Sequence, residues 1–390
     1  MYVLIIYLLL CASAVWTVWK EEQRKQKLEW GIYGLTALVL LIRFSIGQDT
    51  GGYAWMFERV KNPLSDSLSS HMMRNVLYTL LNYAVKVTMG EFRWFVLLSN
   101  IIILGLCTWI VYRHSRNPLI SFMLFVGSGM LEVYYSSGLK QGIAMALYLF
   151  AFYEFLPRRK YLLYEVFILI AMGFQEISVI LIPIPLFLKA VEPFRKHPYR
   201  ITLIASVIAW ILAWYINEYM IFLEYRITDQ TGYGPVWTHL LAYFHRRNFS
   251  YIGSAMEIVF LAGILILFHF ARKKDWDAFR YLEIITFAYS CLLYYLFSGY
   301  SIMSRASDLI QIIILVLVPN LIHDLPDFSK KAFAMAGLIG LNAVLLYTDL
   351  TVKCAQVSEN EIFRISMENF PYVTVFERDR INAMYPPDPE

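Results

Sequence analysis

The sequence predicts an all-α integral membrane protein with about twelve transmembrane helices, within a range of roughly 11 to 14. Hydrophobic residues make up 58% of the 390 residues and charged residues only 16%, whereas an average globular protein is roughly 25% charged. The apolar residues form long blocks, for example 95–111, 258–270 and 309–318. Basic residues lie close to an end of each block, which is typical of spanning helices.

Net charge and cysteine content exclude several other classes. The net charge of +4 does not indicate nucleic-acid binding, because a protein with many spans collects Lys and Arg in its cytoplasmic loops. The four cysteines lie far apart without a CxxC pair, so they indicate neither a zinc site nor a disulfide framework. No nucleotide loop and no HExxH motif occurs. We therefore expect no nucleic-acid partner and no cofactor, although a metal held by Asp49 stays open.

Apolar runs and polar breaks define the predicted spans. Threading the chain with its N-terminus outside places basic clusters such as 20–27, 158–160 and 272–280 in inner loops, as the positive-inside rule requires. The predicted spans are 2–19, 30–43, 92–112, 118–135, 139–156, 161–174, 177–190, 201–222, 251–271, 280–298, 305–323 and 331–348.

The remaining segments are assigned to the outer side of this membrane domain, which covers 1–348. Residues 75–90 are apolar enough to span, but a crossing there would invert every later loop. We interpret them as an amphipathic helix on the outer surface. Outer loops are then expected at 44–91 and 223–250, and an extracytoplasmic tail at 349–390.

The spans 161–174 and 177–190 are short, since a straight crossing needs roughly twenty residues. They predict a hairpin whose two half-length arms meet at Gln175, Glu176 and Ser178. Polar backbone at such depth survives only when it is buried in protein or lines a water-filled cavity. The alternative is one tilted helix of about thirty residues, which would break the topology.

Several ionisable residues then fall at outer span ends and suggest one outward-facing cavity. Charges near the bilayer interior are costly, so they usually pair or serve a site. Each of these residues also has a purely structural explanation. Arg43 would snorkel beside the turn carboxylate Asp49, and Lys140 would lie at the interface. Arg305 would pair locally with Asp308, and Glu176 would have a structural partner. The residues are Arg43, Asp49, Lys140, Glu176 and Arg305, with His245, Arg246 and Arg247 in the second outer loop.

Two or three cations around a carboxylate suit a phosphorylated lipid headgroup. Cations neutralise a diphosphate, and a carboxylate can accept the proton of an attacking hydroxyl. Aromatic residues are 17% of the chain and their faces suit sugar rings, although most of them are expected to pack or to form interfacial belts.

The stretch RFSIGQDTGGY in the first predicted outer loop contains Arg43, Gly47, Asp49 and Tyr53. It resembles the R-x3-G-x-D-x3-Y signature of the EpsG branch of Wzy-type polysaccharide polymerases, and the motifs that follow it keep the order of that family. SGLKQGIAMALYLFA is similar to the LRQ-x-IA motif of the family. GFQEISVILIPI resembles its helix break, and SRASD and PYVTVF resemble its late Arg and C-terminal elements.

Two departures from the family pattern concern charged positions. Lys140 stands where the family has Arg, which keeps the charge but loses bidentate recognition of phosphate. Glu176 stands where the family usually has His, so a base at this position would have a different pH dependence.

The resemblance implies a GT-C-like glycosyltransferase that joins polyprenyl-diphosphate-linked repeat units on the outer face of a bacterial cytoplasmic membrane, for exopolysaccharide, capsule or O-antigen. It implies membrane lipid, a flippase and a chain-length regulator as partners. Arg43, Lys140 and Arg305 would bind the diphosphate, and Asp49 or Glu176 would be the base. The expected substrate-binding residues are Gly47, Tyr53, Gln141, Gln175, Ser178, His245, Arg246 and Arg247.

A transporter or flippase of lipid-linked oligosaccharides is the alternative function. Transporters often contain internal repeats and midplane charges. Here no repeat is visible, and the charges gather at the outer ends of spans.

Overall fold

The computed structural model describes residues 2–19, 26–44, 49–61, 75–128, 138–228, 251–273, 276–296, 301–348 and 372–384. Within these ranges the chain is helical, apart from one isolated antiparallel bridge between Arg43 and Thr374. Two 3-10 helices span Glu176–Leu181 and Ile184–Ala190. The α-helices are α1 (Tyr2–Trp19), α2 (Gln26–Leu41), α3 (Thr50–Arg59), α4 (Val76–Met89), α5 (Phe92–His114), α6 (Pro118–Gly127), α7 (Leu139–Phe155), α8 (Tyr161–Phe174), α9 (Val191–Lys196), α10 (Pro198–Thr228), α11 (Tyr251–Ala271), α12 (Ala278–Leu296), α13 (Ser301–Gln311), α14 (Ile314–Asp324), α15 (Phe328–Thr348) and α16 (Arg378–Met384).

Apolar side chains lie both in the centre of the bundle and on its periphery. Helix α6 is buried along its whole length, and α7 is buried on nearly every face. The peripheral helices instead expose large apolar side chains, such as Leu203 on α10 at 66% and Phe333 on α15 at 81%. Exposed apolar surface on this scale would promote aggregation in water, but it is what lipid-facing helices require. The chain is therefore a membrane protein.

Only some of the described helices are long enough to cross a membrane. Among the described residues, three segments are long and apolar enough to cross a membrane: Phe92–His114, Glu176–Lys196 and Phe328–Tyr347. A fourth is obtained if Arg305–Gln311 and Ile314–Asp324, which are bent by 46°, form one span. Each of the twelve predicted segments contains helix. Twelve as the number of crossings stays a prediction.

The predicted break at Gln175 is confirmed, whereas the second arm is longer than predicted. Gln175 is extended, and the hydroxyl of Tyr164 donates to the carbonyl of Leu181 at 2.8 Å, so the chain reverses here. The first arm has 14 residues and is about 21 Å long at 1.5 Å per residue. The second arm runs for 21 residues to Lys196, and it is long enough to cross because a 3-10 helix rises about 2.0 Å per residue.

The first predicted outer loop contains two helices, α3 and α4. Helix α4 buries Tyr78, Asn82 and Val85 along one face and ends at Gly90, whose φ of 75° permits the turn into α5. Helix α4 also packs against α8, where Gly173 lies so close to Leu77 that a Cβ would approach its Cγ to 2.5 Å. A helix is therefore present at 75–90, and its buried face contacts protein. Its position on the outer surface stays a prediction.

Candidate functional site

Lys140 lies at the start of α7 against two aromatic rings from the first outer loop. Its Nζ is 5.5 Å from the ring centroid of Tyr53 and 5.1 Å from that of Tyr78. The two rings are 5.7 Å apart and tilted by 54°. A cation over an aromatic face is attracted by the ring quadrupole, more strongly when it is partly desolvated. Helices α3 and α4 therefore hold the ammonium of Lys140 in place.

Three further predicted site residues interact electrostatically with Lys140: Asp49, Glu176 and Arg305. They come from the start of α3, the first 3-10 helix and α13. These three side chains are exposed, whereas Lys140 is partly buried. We call these four residues the Lys140 group. Charges separated by up to 256 positions in the sequence thus meet in one region.

Local structure explains how each member reaches this region. Asp49 directly precedes α3, and its carbonyl accepts the backbone N–H of Tyr53 at 3.0 Å, so the first helical turn places the carboxylate and the ring together. Glu176 begins the 3-10 helix directly after the extended residue Gln175. Helix α13 packs against both this 3-10 helix and α7, which positions Arg305.

Two of the expected substrate-binding residues take part in packing at the edge of the group. The buried side chain of Gln141 donates from Nε2 to the carbonyl of Arg305 at 2.7 Å and so fastens α7 to α13. Ser178 is fully buried, and its backbone N–H donates to the carbonyl of Gln175 at 3.0 Å. Gln141 and Ser178 therefore support the site rather than present an open polar surface.

Arg43 occupies a buried position six residues before Asp49. Only 1% of its surface is exposed, and its carbonyl accepts Asn100 Nδ2 at 2.8 Å. The structure pairs this stretch with the C-terminal segment: Phe44 N–H donates to Val373 at 2.7 Å. Burial raises the pKa of Tyr372, and the nearby guanidinium of Arg43 partly opposes that rise.

The C-terminal segment 372–384, which was predicted as part of an outer tail and begins within the PYVTVF motif, packs against the rest of the protein. Tyr372 donates to the carbonyl of Val39 at 2.7 Å. Glu377 accepts the backbone N–H of Thr374 at 2.7 Å, and this bond lowers the pKa of the Glu377 carboxyl. Glu91 pairs with Arg378 at 3.4 Å. This segment therefore covers Arg43, the first of the predicted site residues.

Reasoning from sequence missed Tyr78 and Tyr372 as site residues. A signal for Tyr78 existed, because Tyr78, Asn82 and Val85 follow helical spacing on one face of the segment 75–90. No comparable signal places Tyr372 beside Arg43, since 329 positions separate them.

Four of the predicted site residues, Gly47, His245, Arg246 and Arg247, lie outside the described residues. The same holds for 229–250 in the second outer loop and for 349–371 in the tail. Among the residues that the structure describes, no group of three or more His, Cys, Asp or Glu side chains is arranged to hold a metal ion.

Comparison with known families gives one match. The EpsG family profile matches residues 32–374. The chain belongs to the EpsG family. None of the curated proteins and none of the solved structures gives a match. The match begins in α2 and ends within the C-terminal segment, so Arg43, the Lys140 group and Tyr372 all lie within the EpsG region. EpsG membership and the apolar helices indicate a membrane protein of polysaccharide biosynthesis.

Proposed function

We propose that this EpsG protein is a polysaccharide polymerase that joins polyprenyl-diphosphate-linked oligosaccharide repeat units. The observation that carries the proposal is the Lys140 group, in which Lys140 interacts with Asp49, Glu176 and Arg305 from three other parts of the fold. A glycosyl transfer of this kind needs cations for a diphosphate leaving group and a carboxylate for the attacking hydroxyl. The group supplies both in one place.

The reaction follows from these charges. A hydroxyl on the terminal sugar of a new lipid-linked repeat unit attacks the anomeric carbon of the growing chain. A bond forms between that oxygen and the anomeric carbon, while the bond from the anomeric carbon to the diphosphate oxygen breaks. The hydroxyl proton passes to Asp49 or Glu176, and the polyprenyl diphosphate leaves with the bonding electrons.

Charge balance supports this assignment. Two cations and two carboxylates make the Lys140 group neutral. When one carboxylate takes the hydroxyl proton, the site becomes more positive as negative charge develops on the diphosphate. Stabilisation that is stronger in the transition state than in the ground state is what accelerates a reaction.

Aromatic side chains support the cation of the site. Tyr53 and Tyr78 lie beside Lys140, and both rings belong to a larger aromatic cluster with Phe92 and Phe95. Both tyrosines are buried, so their contribution is to hold the ammonium of Lys140 and not to contact the sugar.

The membrane arrangement is part of the same proposal. Twelve spans with a GT-C-like architecture place the basic loops in the cytoplasm and the Lys140 group at the outer face of a bacterial inner membrane. The first 3-10 helix then starts below the outer surface, since α8 is only about 21 Å long. A flippase would deliver the substrate to that face, and a chain-length regulator would act on the product.

The test is an assay of the full chain purified in detergent with a lipid-linked repeat unit. Detergent micelles separate no compartments, so elongation there requires a polymerase and cannot come from transport. We expect a ladder of longer products for the wild-type protein and loss of that ladder for Asp49→Asn combined with Glu176→Gln. Either single variant that retains product identifies the other carboxylate as the base.

A matched control is Glu192→Gln, because Glu192 is exposed on α9 in the same arm as Glu176 and lies outside the Lys140 group. It should leave the ladder unchanged. A normal ladder from the Asp49 and Glu176 double variant would overturn the site assignment. A wild-type protein that is folded, binds the lipid-linked unit and forms no product would overturn the polymerase itself.

A further inference from the structure

An apolar groove lies between α11, α14 and α15, away from the Lys140 group. It encloses about 770 Å³ and is lined by side chains such as Ile264 and Leu267 from α11, Val318 from α14 and Leu338 from α15. Its lining on α15 runs from Ser329 to Val344, which is about 23 Å of helix. Half of a hydrocarbon core is about 15 Å thick, so the groove is long enough for the acyl chain of one leaflet.

Three glycines open the wall of this groove. Gly263 on α11 and Gly337 and Gly340 on α15 line it, and a Cβ added at any of them would meet no other atom within 4 Å. The missing side chains therefore leave space rather than permit close helix packing, which is the opposite of the contact at Gly173. A flexible chain can lie against the backbone at these positions.

One end of the groove is cationic. Lys330 lines it, with Nζ 5.3 Å from the ring centroid of Phe270, and pairs with Asp327 at 2.6 Å. Arg272 and Lys273 follow α11 at the same end, and Lys331 follows Lys330. Lys273 pairs with Asp324 at 2.9 Å. Among these described residues, four cations stand against the carboxylates of Asp324 and Asp327, which is an excess of positive charge.

A second groove, between α2 and α5, has no charged side chain in its lining. It encloses about 720 Å³ and is lined by residues such as Gly34, Leu38, Gly105 and Trp109. Arg113 lies over the Trp109 ring at 5.5 Å, but it does not line the groove and pairs with Glu154 at 3.4 Å. The two grooves are similar in size and apolar character, and they differ in that Lys330 itself lines the first one.

We infer that the groove between α11, α14 and α15 binds an anionic phospholipid. One acyl chain lies along the three glycines, and the phosphate lies against Lys330 at the edge of the membrane. Basic side chains at the bilayer surface attract anionic lipid headgroups, and a neighbouring apolar groove adds a place for the chain. In the predicted orientation this lipid belongs to the inner leaflet. The proposal does not depend on the polymerase activity.

The test uses native mass spectrometry of the full chain with phosphatidylglycerol or phosphatidylcholine of identical acyl chains. We expect the wild-type protein to retain phosphatidylglycerol preferentially. Gly337→Phe fills the groove from α15 and should remove most of the bound lipid. Gly263→Leu does so from α11 and covers the case in which the first variant folds poorly. Gly105→Phe fills the uncharged groove and should leave phosphatidylglycerol binding unchanged.

Lys330→Gln separates the headgroup from the chain. It should lower the preference for phosphatidylglycerol over phosphatidylcholine about fivefold while acyl-chain binding persists. If the preference stayed unchanged, Lys330 would act only as a basic residue that keeps its loop in the cytoplasm. The proposal that Lys330 binds the lipid phosphate would then be wrong. Equal binding of both lipids by the wild-type protein also overturns the proposal. So does a shift from dimer to monomer in Gly337→Phe without lipid loss, because the groove is then an interface between two copies.

Discussion

Two regions of this protein concentrate charge, and they arrange it in opposite ways. Around Glu154 on α7, Arg158 lies at 2.9 Å, His114 at 3.3 Å and Arg113 at 3.4 Å from the carboxylate oxygens. Trp109 also donates to Glu154 at 3.3 Å. Both oxygens of this carboxylate have a partner close by. The charges of the Glu154 cluster therefore satisfy one another.

The Lys140 group is arranged differently. Among the described residues, the close contacts of Lys140 include the rings of Tyr53 and Tyr78, and its charged neighbours act on it through space. These neighbours, Asp49, Glu176 and Arg305, are exposed, whereas Glu154 is buried. Exposed charges can be reached by a ligand from solvent, and buried, mutually paired charges cannot. We therefore interpret the Glu154 cluster as structural and the Lys140 group as a binding site.

The largest expected effect is on stability. It is tested at the buried ion pair of Arg280 and Glu283, whose charges satisfy one another as those of the Glu154 cluster do. On α12, Glu283 is fully buried; it pairs with Arg280 at 3.0 Å and accepts the hydroxyl of Tyr153 at 2.7 Å. Arg280→Ala leaves that carboxylate buried without its cation. We expect a loss of about 3–5 kcal/mol of stability, because an uncompensated buried charge is strongly destabilising. Thermal unfolding in detergent should show a lower Tm, with unchanged activity per folded molecule.

The control for that variant is Arg280→Ala combined with Glu283→Gln. Removing both charges should recover much of the lost stability, since a neutral amide at position 283 still hydrogen-bonds to Tyr153. If the single variant kept its Tm but lost specific activity, the division into structural and functional charges would be wrong.

A smaller effect is expected from Lys140→Gln, and it should have the opposite signature. Loss of one preorganised cation near a developing negative charge typically lowers turnover about 100-fold. The Tm should stay near that of the wild-type protein, because Lys140 is only partly buried. Lys140→Arg restores a guanidinium and should retain activity. Turnover of the lipid-linked unit measured beside Tm distinguishes these outcomes, and equal losses of both would contradict the assignment.

The smallest effect concerns the aromatic support of Lys140. Tyr78→Leu removes one of the two rings beneath the ammonium, and a desolvated cation over a ring is stabilised by about 2 kcal/mol. We expect turnover to fall about tenfold, whereas Tyr78→Phe keeps the ring and should retain most of it. If leucine and phenylalanine gave the same turnover, the hydroxyl or simple packing would be the contribution of Tyr78 instead.

The sequence predicted the helices better than it predicted their contacts. Segments such as 251–271 and 2–19 match α11 and α1, because long apolar runs are helical in a membrane whatever they pack against. The second arm of the hairpin was underestimated, because the chain continues past Ala190 into α9 and because 3-10 geometry gives more length per residue than an α-helix. Helix α3 was missed because two glycines open its sequence, TGGYAWMFER.

The sequence could propose which residues belong to the candidate site, but it could not give the distances between their side chains. Arg43, Asp49, Lys140, Glu176 and Arg305 were chosen for their chemistry and their place at predicted outer span ends. Local spacing explains Asp49 and Tyr53, which lie one helical turn apart. It does not explain Tyr78 beneath Lys140 or Tyr372 beside Arg43, because these contacts join separate elements.

By itself the sequence determined that this chain is a helical membrane protein of the EpsG family, because hydropathy and motif order are properties of the linear chain. Only the tertiary structure decided which charges meet. Helix packing placed α13 on the 3-10 helix and on α7, and it seated Lys140 on two tyrosines. Electrostatic interaction depends on distance in space, and distance is fixed only when the helices have packed.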